Sequence, residues 1–409
     1  MTGGRPRWWL PTLALVVLLV LGGVVWTAVR DDSYTAPRPT PPGRTAEPVA
    51  AAEALARLET AVRRRDAGAA RDLAPAGDRE ARTLLGDLVR NAAALDVTAF
   101  RLRYVDEAGA VSADGAWSGV VDTSWQLAGF DDRPAETEVL VGLVAEADRV
   151  AIASLGGGDL RTPVWLADRV RVLRAPGTLV VDAAGDGARV FRLARAALPV
   201  VRRVLPQWRG PLVVEVPATA AGLDAALAAA DGQYAGVAAV TTAADGTTGE
   251  GAPVHVFVNP RVLADLGPVG AQVVMSHEAT HVATVAAGST MPLWLLEGFA
   301  DYVALRDVRL PESTVAAQIA RQVRRRGVPD ALPGPVEFET TNTHLGAAYE
   351  SAWLACEVLA EIGGEPALVV LYESVNDGGP LDAALRASFG FGERELIRRW
   401  RARLSDLAG

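Results

Sequence analysis

The residues best suited to chemistry form one short motif near position 280. Residues 277–281 read HEATH, with His277 and His281 flanking Glu278, and Ala271–Ser276 before them has a helical composition. Side chains at positions i and i+4 of a helix project from one face, so both imidazoles could bind the same ion. Glu278 lies one step round the helix, where it could hold a water at that ion and act as a general base. The spacing therefore predicts a zinc-dependent hydrolytic centre.

A second segment supplies carboxylates at a matching spacing. The run Trp294–Tyr302 reads WLLEGFADY and predicts a second helix, with Glu297 and Asp301 four residues apart on one face. Zinc in hydrolases takes three protein ligands and leaves one position for water, so Glu297 could supply the third ligand. Asp301 could accept a hydrogen bond from the free N–H of a ligating histidine. An exposed carboxylate pair is the other interpretation, but it does not explain the apolar neighbours Leu295 and Phe299.

The two motifs together resemble those of a known enzyme group. HEATH, then 15 intervening residues, then the glutamate of WLLEGFADY is similar to the pattern of the peptidase MA-like, or gluzincin, zinc metallopeptidases, which are related to thermolysin. The resemblance covers roughly residues 185–407 and implies a mostly helical zincin-type domain with a small sheet. It also implies that His277, His281 and Glu297 bind Zn²⁺, that Glu278 is the general base, and that Asp301 supports a ligating histidine.

The sequence also excludes one related group of zinc peptidases and lacks the motif of another. Metzincins need Gly and His at the positions held here by Thr284 and Ala287, so that group is excluded. The GxMEN run of gluzincin aminopeptidases is not found, so the resemblance does not imply aminopeptidase activity. The apolar strand predicted over Val254–Val258 is expected near the cleft, where it could pair with an extended peptide. Bond specificity stays open.

A further helix is predicted to start near residue 344. The resembling enzymes often have a tyrosine at the start of such a helix, close to the zinc, where it donates to the oxyanion of the tetrahedral intermediate. Tyr349 is the residue at a suitable place here, and His344 is the reserve. A preorganised donor at such a position contributes about 3–4 kcal/mol to transition-state stabilisation.

The amino-acid composition excludes several catalytic mechanisms and several kinds of metal site. All 40 basic residues are arginine, which excludes mechanisms that need a Schiff-base or phosphate-binding lysine. The single cysteine, Cys356, excludes an internal disulfide and cysteine-rich metal sites, and it is expected to be a buried small hydrophobe. His255 lies within an apolar strand and is expected to be structural. A net charge of −9 with no basic tail argues against nucleic acid as a partner.

The N-terminus carries a long uncharged segment. Trp8–Val29 is free of charged residues, and as a helix it would span about 33 Å, close to the hydrocarbon core of a bilayer. A cleaved signal peptide is the alternative, but it requires a shorter apolar core and small residues where this chain has Trp26. Arg5 and Arg7 precede the segment, so residues 1–7 are expected in the cytoplasm and the bulk of the protein outside it.

The rest of the chain divides by composition into a stalk and two folded parts. Residues 30–49 are rich in proline and predict a semi-rigid stalk. Residues 50–182 show helical periodicity and then strand alternation, which predicts a small α+β domain whose element order resembles the nuclear transport factor 2-like fold. Residues 185–409 alternate between helix and strand before becoming almost wholly helical. The fold class predicted for the whole chain is α+β.

These features lead to one preferred function and two alternatives. The preferred function is a membrane-anchored, extracytoplasmic metallopeptidase that hydrolyses a peptide or protein substrate through a zinc-activated water. The first alternative is a catalytically silent, zinc-containing binding module of the cell envelope, and the second is a purely structural zinc protein. The presence of Glu278 favours the enzyme, because a structural site has no use for a base beside the metal.

Overall fold

A computed structural model describes residues 45–247 and 251–409. The predicted cytoplasmic residues 1–7, the predicted anchor Trp8–Val29 and most of the predicted stalk lie outside the described residues. Within the described ranges, no helix is both long enough and apolar enough to cross a membrane. Residues 45–409 cluster into one compact unit.

The first part of this unit consists of helices followed by an antiparallel sheet, as predicted. Its elements are α1 Pro48–Arg64, α2 Ala67–Arg71, α3 Arg79–Leu95, β1 Val97–Ala108, β2 Ala116–Leu127, β3 Ala135–Ala145 and β4 Val150–Leu155. The strands pair in chain order. The side chains of Asp66 and Asp78 accept hydrogen bonds from backbone amides of α2 and α3, which fixes where these helices begin. Side chains of β2 alternate between full and partial burial, so one face of the sheet packs against the helices.

Three tryptophans lie in the core of this first part. Trp117, Trp125 and Trp165 are 5%, 2% and 2% exposed. The rings of Trp125 and Trp165 meet edge to face with centroids 6.3 Å apart, and Phe100 contacts Trp165 in the same manner at 5.5 Å. Such contacts between aromatic rings add to the stabilisation that burial of their area provides.

A second sheet of five strands follows. The elements that form it and connect it are α4 Val164–Ala167, β5 Arg171–Ala175, β6 Thr178–Asp182, α5 Gly187–Val204, β7 Leu212–Val216, α6 Ala220–Leu227, β8 Ala239–Ala243 and β9 Val254–Val258. The strand order is β5-β6-β7-β9-β8. The three central strands are parallel, and α5 provides the crossover between β6 and β7, whereas β5 and β8 are antiparallel edges.

The second sheet is shared between two hydrophobic cores. Successive side chains of a strand point to opposite faces. Leu179, Val181 and Val213 pack with the helices and sheet of the first part, whereas Val180 and Val214 pack with the helices that follow β9. Every residue of β6 and β7 is buried as a result, and both strands are apolar except for Thr178 and Asp182 in β6 and Glu215 in β7.

The remainder of the chain is helical. Its helices are α7 Pro260–Asp265, α8 Pro268–Ala283, α9 Leu293–Leu305, α10 Glu312–Val315, α11 Ala317–Arg326, α12 Leu345–Gly363, α13 Glu365–Asn376, α14 Leu381–Phe389 and α15 Glu393–Ala408. Helix α8 packs against α5, α9 and the strand β8. These neighbours cover most of its C-terminal half, where the residues from Met275 to Val282 are all buried. The two small sheets and these helices confirm the α+β class.

A buried ionic network joins the two sheets. His255 on β9 is 1% exposed; its Nδ1 lies 2.7 Å from Glu215 Oε1 on β7, and its Nε2 lies 3.0 Å from Asp131 Oδ1 in the β2–β3 connection. Burial alone would lower the pKa of His255, but the charge of Asp131 and the hydrogen bonds of both carboxylates outweigh it and raise the pKa to about 10. His255 is therefore a structural cation, which confirms the structural role expected from its strand.

This network makes stability depend on pH in a defined window. The folded-state pKa of His255 lies above its unfolded value of 6.5, so its contribution is complete below pH 6.5 and is lost as the pH rises through about 10. We expect the free energy of unfolding, measured by urea denaturation, to fall across that window. A His255→Gln variant should be less stable at acid pH by about 3–5 kcal/mol, because two buried carboxylates lose their cation.

The same variant is the control for other groups that titrate in this range. His255→Gln has no imidazole to deprotonate, so its stability should fall less steeply between pH 6.5 and about 10 than that of the wild type. Parallel slopes for the two proteins would show that His255 is not the group responsible.

Candidate metal centre

Helix α8 brings the two histidines of the HEATH motif onto one face. The Nε2 atoms of His277 and His281 lie 3.0 Å apart, and each residue is only 7% exposed. The helix starts at Pro268 after Gly267 and runs without a break through both histidines, which sets their i, i+4 spacing along the helix. Two imidazoles aimed at one point in a buried position predict a shared ligand.

Helix α9 adds a carboxylate oxygen to the same point. Glu297 Oε2 lies 3.1 Å from His277 Nε2 and 3.3 Å from His281 Nε2. With the 3.0 Å separation of the two nitrogens, the three atoms form a nearly equilateral triangle. The edge of a tetrahedron with Zn–N and Zn–O bonds of 2.0–2.1 Å is about 3.3 Å, so this donor set fits three corners of a tetrahedral zinc site.

A second carboxylate on α9 orients one of the histidines. His277 donates from Nδ1 to Asp301 Oδ1 at 2.7 Å. This bond places the Nδ1 proton on the side away from the cluster and leaves Nε2 directed at the other two donor atoms, the usual arrangement behind a metal-bound histidine. His281 Nδ1 is buried without a hydrogen-bond partner among the described residues, so the polar contacts of that ring are made by Nε2 alone.

The charges of the cluster also suit a cation. Burial alone would raise the pKa of Glu297, but the charge of His281 and the hydrogen bonds of both histidines hold it below its usual range, so the carboxylate is ionised. Burial opposes protonation of His277, yet the charge and hydrogen bond of Asp301 raise its pKa well above the usual value. A metal ion would take the place of the proton on Nε2.

The position of α9 depends on one glycine. Gly298, next to Glu297, faces α12, where a Cβ on it would lie only 2.4 Å from the carbonyl oxygen of Ala352 and 3.1 Å from Cys356 Sγ. Only glycine allows the two helices to approach this closely. Cys356 is fully buried at this contact, which confirms that it is a small core residue.

The three donor atoms lie in an open cleft of about 700 Å³. Its walls are formed by β8, by the α7–α8 region, by the start of α12 and by residues near 338–340, and they are largely apolar. The larger apolar side chains among them include Val237, Val240, Val262, Leu266, Val273, Val274, Leu296, Phe338 and Leu345. Glu278 faces the same cleft. A substrate in this cleft would therefore meet both the donor cluster and a carboxylate that is not part of it.

One polar contact to Glu278 was not predicted from sequence. The hydroxyl of Thr241, on β8, donates to Glu278 Oε2 at 2.6 Å, and the backbone carbonyl of Glu278 lies 3.2 Å from the same hydroxyl. No signal in the sequence singles out Thr241. It is a strand residue of ordinary type, and its contact depends on how β8 packs against α8.

Of the two residues considered for oxyanion stabilisation, only one lies at the cleft. Tyr349 lines the cleft, and its ring centroid lies 5.8 Å from that of His277 and 5.2 Å from that of Phe338. Burial, followed by the charges of Glu297 and other nearby carboxylates, raises the pKa of Tyr349 well above its usual value, so the phenol keeps its proton. His344 is exposed at the N-cap of α12 and is not among the cleft-lining residues.

The expected role of Val254–Val258 in pairing with a peptide is wrong. This strand, β9, lies between β7 and β8, so its backbone hydrogen-bonding groups on both sides already face a neighbouring strand. The edge of the sheet that borders the cleft is β8, whose residues 239–241 contribute to its wall. The sequence predicted the strand Val254–Val258 but not its neighbours in the sheet.

Together these observations define a group that could hold a metal ion. Within residues 45–247 and 251–409, His277, His281 and Glu297 are the one set of three or more histidine, cysteine and acidic side chains whose ligand atoms converge in this way. A comparison of the chain with protein-family models and with curated proteins gives no match. What the protein does must therefore be inferred from the residues of this cluster and its cleft.

The bond between His277 and Asp301 should be needed for tight metal binding. We expect Asp301→Asn to weaken zinc affinity about 10–100-fold, because the histidine loses the carboxylate that orients it and raises its basicity. Competition with a chromophoric chelator measures this affinity. Asp307→Asn, an exposed aspartate just beyond α9, is the matched control and should bind zinc as the wild type does. Equal affinities for all three proteins would contradict the role given to Asp301.

Proposed function

We propose that this protein is a membrane-anchored, extracytoplasmic zinc metallopeptidase that hydrolyses peptide bonds. The observation that carries the proposal is the position of Glu278. It faces the cleft beside three converging donor atoms but is not one of them. A structural zinc site uses four protein ligands and needs no such carboxylate, whereas a hydrolytic site keeps one position open and places a base next to it.

Zinc is the metal that the donor set favours. Two imidazole nitrogens and one carboxylate oxygen suit Zn²⁺ and match the three-ligand sites of zinc hydrolases. When bound, Zn²⁺ would lower the pKa of water and polarise a substrate carbonyl. His277, His281 and Glu297 are the residues that would hold it, with Asp301 orienting His277.

The remaining residues of the cleft have distinct roles in this proposal. Glu278 accepts a proton from the attacking water and then gives it to the leaving nitrogen of the peptide. Tyr349, with its phenol protonated and its ring next to His277, is placed to donate a hydrogen bond to the oxygen that gains charge. His344 is exposed outside the cleft, so Tyr349 is the stronger candidate.

The peptide substrate is suggested by the cleft as well as by the chemistry. Strand β8 is an edge strand at the cleft, so one side of its backbone is not paired with another strand of the sheet. An extended peptide can add to such an edge through main-chain hydrogen bonds, while its side chains enter neighbouring pockets. The largely apolar walls favour apolar side chains at those pockets.

We also assign the two folded parts to fold families as part of this proposal. The order of helices and strands supports both assignments: the four-stranded sheet supports the first, and the second sheet with α5, α8 and α9 supports the second. The first part is proposed to be a nuclear transport factor 2-like domain, because three helices precede an antiparallel sheet. The second is proposed to be a zincin-type domain of the gluzincin group, on the strength of the HEATH and WLLEGFADY motifs.

Replacing the base tests the enzyme directly. We expect Glu278→Gln, in the zinc-loaded full-length protein, to lower kcat for peptide hydrolysis by about 10²–10⁴-fold, because a neutral amide cannot accept the proton. Mass-spectrometric analysis of a broad peptide library measures cleavage, and elemental analysis should show that the variant keeps its zinc. Glu373→Gln, an exposed glutamate on α13, is the control and should cleave as the wild type does.

Two outcomes would count against the peptidase. Equal cleavage by the wild type and Glu278→Gln would show that the activity has another origin. A wild type that binds stoichiometric zinc but cleaves no peptide of the library would support the alternative of a catalytically silent binding module in the cell envelope.

The membrane anchor is tested by fractionation. We expect the full-length protein to stay in the membrane pellet after high-salt and alkaline washes and to be released by detergent, because Trp8–Val29 is long enough to span a bilayer. Protease added to cells whose outer envelope layers have been permeabilised should digest residues 50–409. A mature N-terminus located after Val29, determined by mass spectrometry, would show instead that the segment is a cleaved signal peptide.

A further inference from the structure

Thr241 is the one described side chain that is hydrogen-bonded to the carboxylate of Glu278. Its hydroxyl donates to Oε2 at 2.6 Å, a short bond of the kind that a charged acceptor makes. With Oε2 engaged in this way, Oε1 has no hydrogen-bond partner among the described residues and stays available to water. The two oxygens of the carboxylate are therefore distinguished by Thr241.

Strand β8 presents Thr241 to the HEATH helix. Strand β8 packs against α8, and Thr241 lies at its centre, in register with Val256 of β9. Neighbouring residues of a strand point to opposite faces, and Thr241 lines the cleft whereas Thr242, in register with His255, does not. Of the two threonines of β8, Thr241 is thus the one whose hydroxyl reaches the HEATH helix, and Thr242 provides a matched control.

We propose that Thr241 is a positioning residue that holds Glu278 in the orientation needed for proton transfer. This proposal rests on the proposed peptidase function. A glutamate side chain has several rotamers, and a fixed bond to one oxygen removes the motion that would turn the other oxygen away from the water. Because Thr241 also belongs to the edge strand of the cleft, a peptide paired with β8 would be placed by the same element that holds the base.

Kinetics of matched variants tests the positioning role. In the zinc-loaded full-length protein, Thr241→Val keeps the shape of the side chain and removes the hydroxyl. We expect kcat for peptide hydrolysis to fall about 10–100-fold, as for the loss of a hydrogen bond to a charged group, with KM and zinc content unchanged. Thr241→Ser restores the hydroxyl and should recover most of kcat. Thr242→Val makes the same change one residue along β8 and should leave kcat unchanged.

A second readout does not depend on activity. Crystal structures of the metal-free wild type and Thr241→Ser should show the Glu278 carboxylate in one rotamer, hydrogen-bonded to residue 241. The Thr241→Val crystal should show it in several rotamers or turned away from β8. The fold of all three should be the same, because valine keeps the shape of the threonine side chain.

The outcomes separate this proposal from the one on which it depends. An active wild type with unchanged kcat in Thr241→Val, or a single unchanged Glu278 rotamer in that variant, overturns the role of Thr241 and leaves the peptidase intact. A rise in KM or a loss of zinc without a fall in kcat also overturns it. A zinc-loaded wild type that cleaves nothing overturns the peptidase, and the role of Thr241 in turnover falls with it.

Discussion

The site depends on one constraint, which is that several polar side chains are buried together in an apolar helical core. His277, His281 and Glu297 lie among core residues of α8 and α9, where an unpaired polar or charged group would cost several kcal/mol. Their Nε2 and Oε2 atoms contact one another within 3.3 Å, and Asp301 accepts from Nδ1 of His277, whereas Nδ1 of His281 has no partner among the described residues. Any shift of α9 along α8 would break these contacts, and the close fit of Gly298 against α12 restricts such a shift. The packing of the helices and the geometry of the cluster therefore determine each other.

The shared second sheet extends this constraint to the first part of the chain. One face of β6 and β7 completes the core that contains the three tryptophans, and the other face supports the helices of the site. The buried contacts of His255 with Asp131 and Glu215 cross between the two sheets. Residues 50–182 are thus packed into the framework that carries the cleft, and β9, which holds His255, also pairs with the edge strand β8.

Sequence predicted the parts of the site that are local in the chain. The spacing of His277 and His281, and of Glu297 and Asp301, follows from helical periodicity, and their placement on two adjacent helices was expected. The contacts missed join distant residues: Thr241 lies 37 positions from Glu278, and Asp131 lies 124 positions from His255. They depend on strand order, which residue periodicity does not encode. The error over β9 and β8 has the same origin, because a pattern identifies a strand without giving its neighbours.

The ability to hold a metal ion depends on contacts between neighbouring helices, whereas the orientation of Glu278 depends on a contact between residues distant in the chain. The ligand atoms and Asp301 come from two helices alone, so the ability to hold a metal ion depends on α8, α9 and what packs on them. The orientation of Glu278 depends in addition on β8, through Thr241. In the proposed peptidase, metal binding would need α8 and α9, whereas turnover would need these helices and also the edge strand of the cleft. In the proposed peptidase, a change in β8 would therefore alter proton transfer while the metal-ligand geometry stays intact, and the edge strand would link the position of a substrate to that of the base.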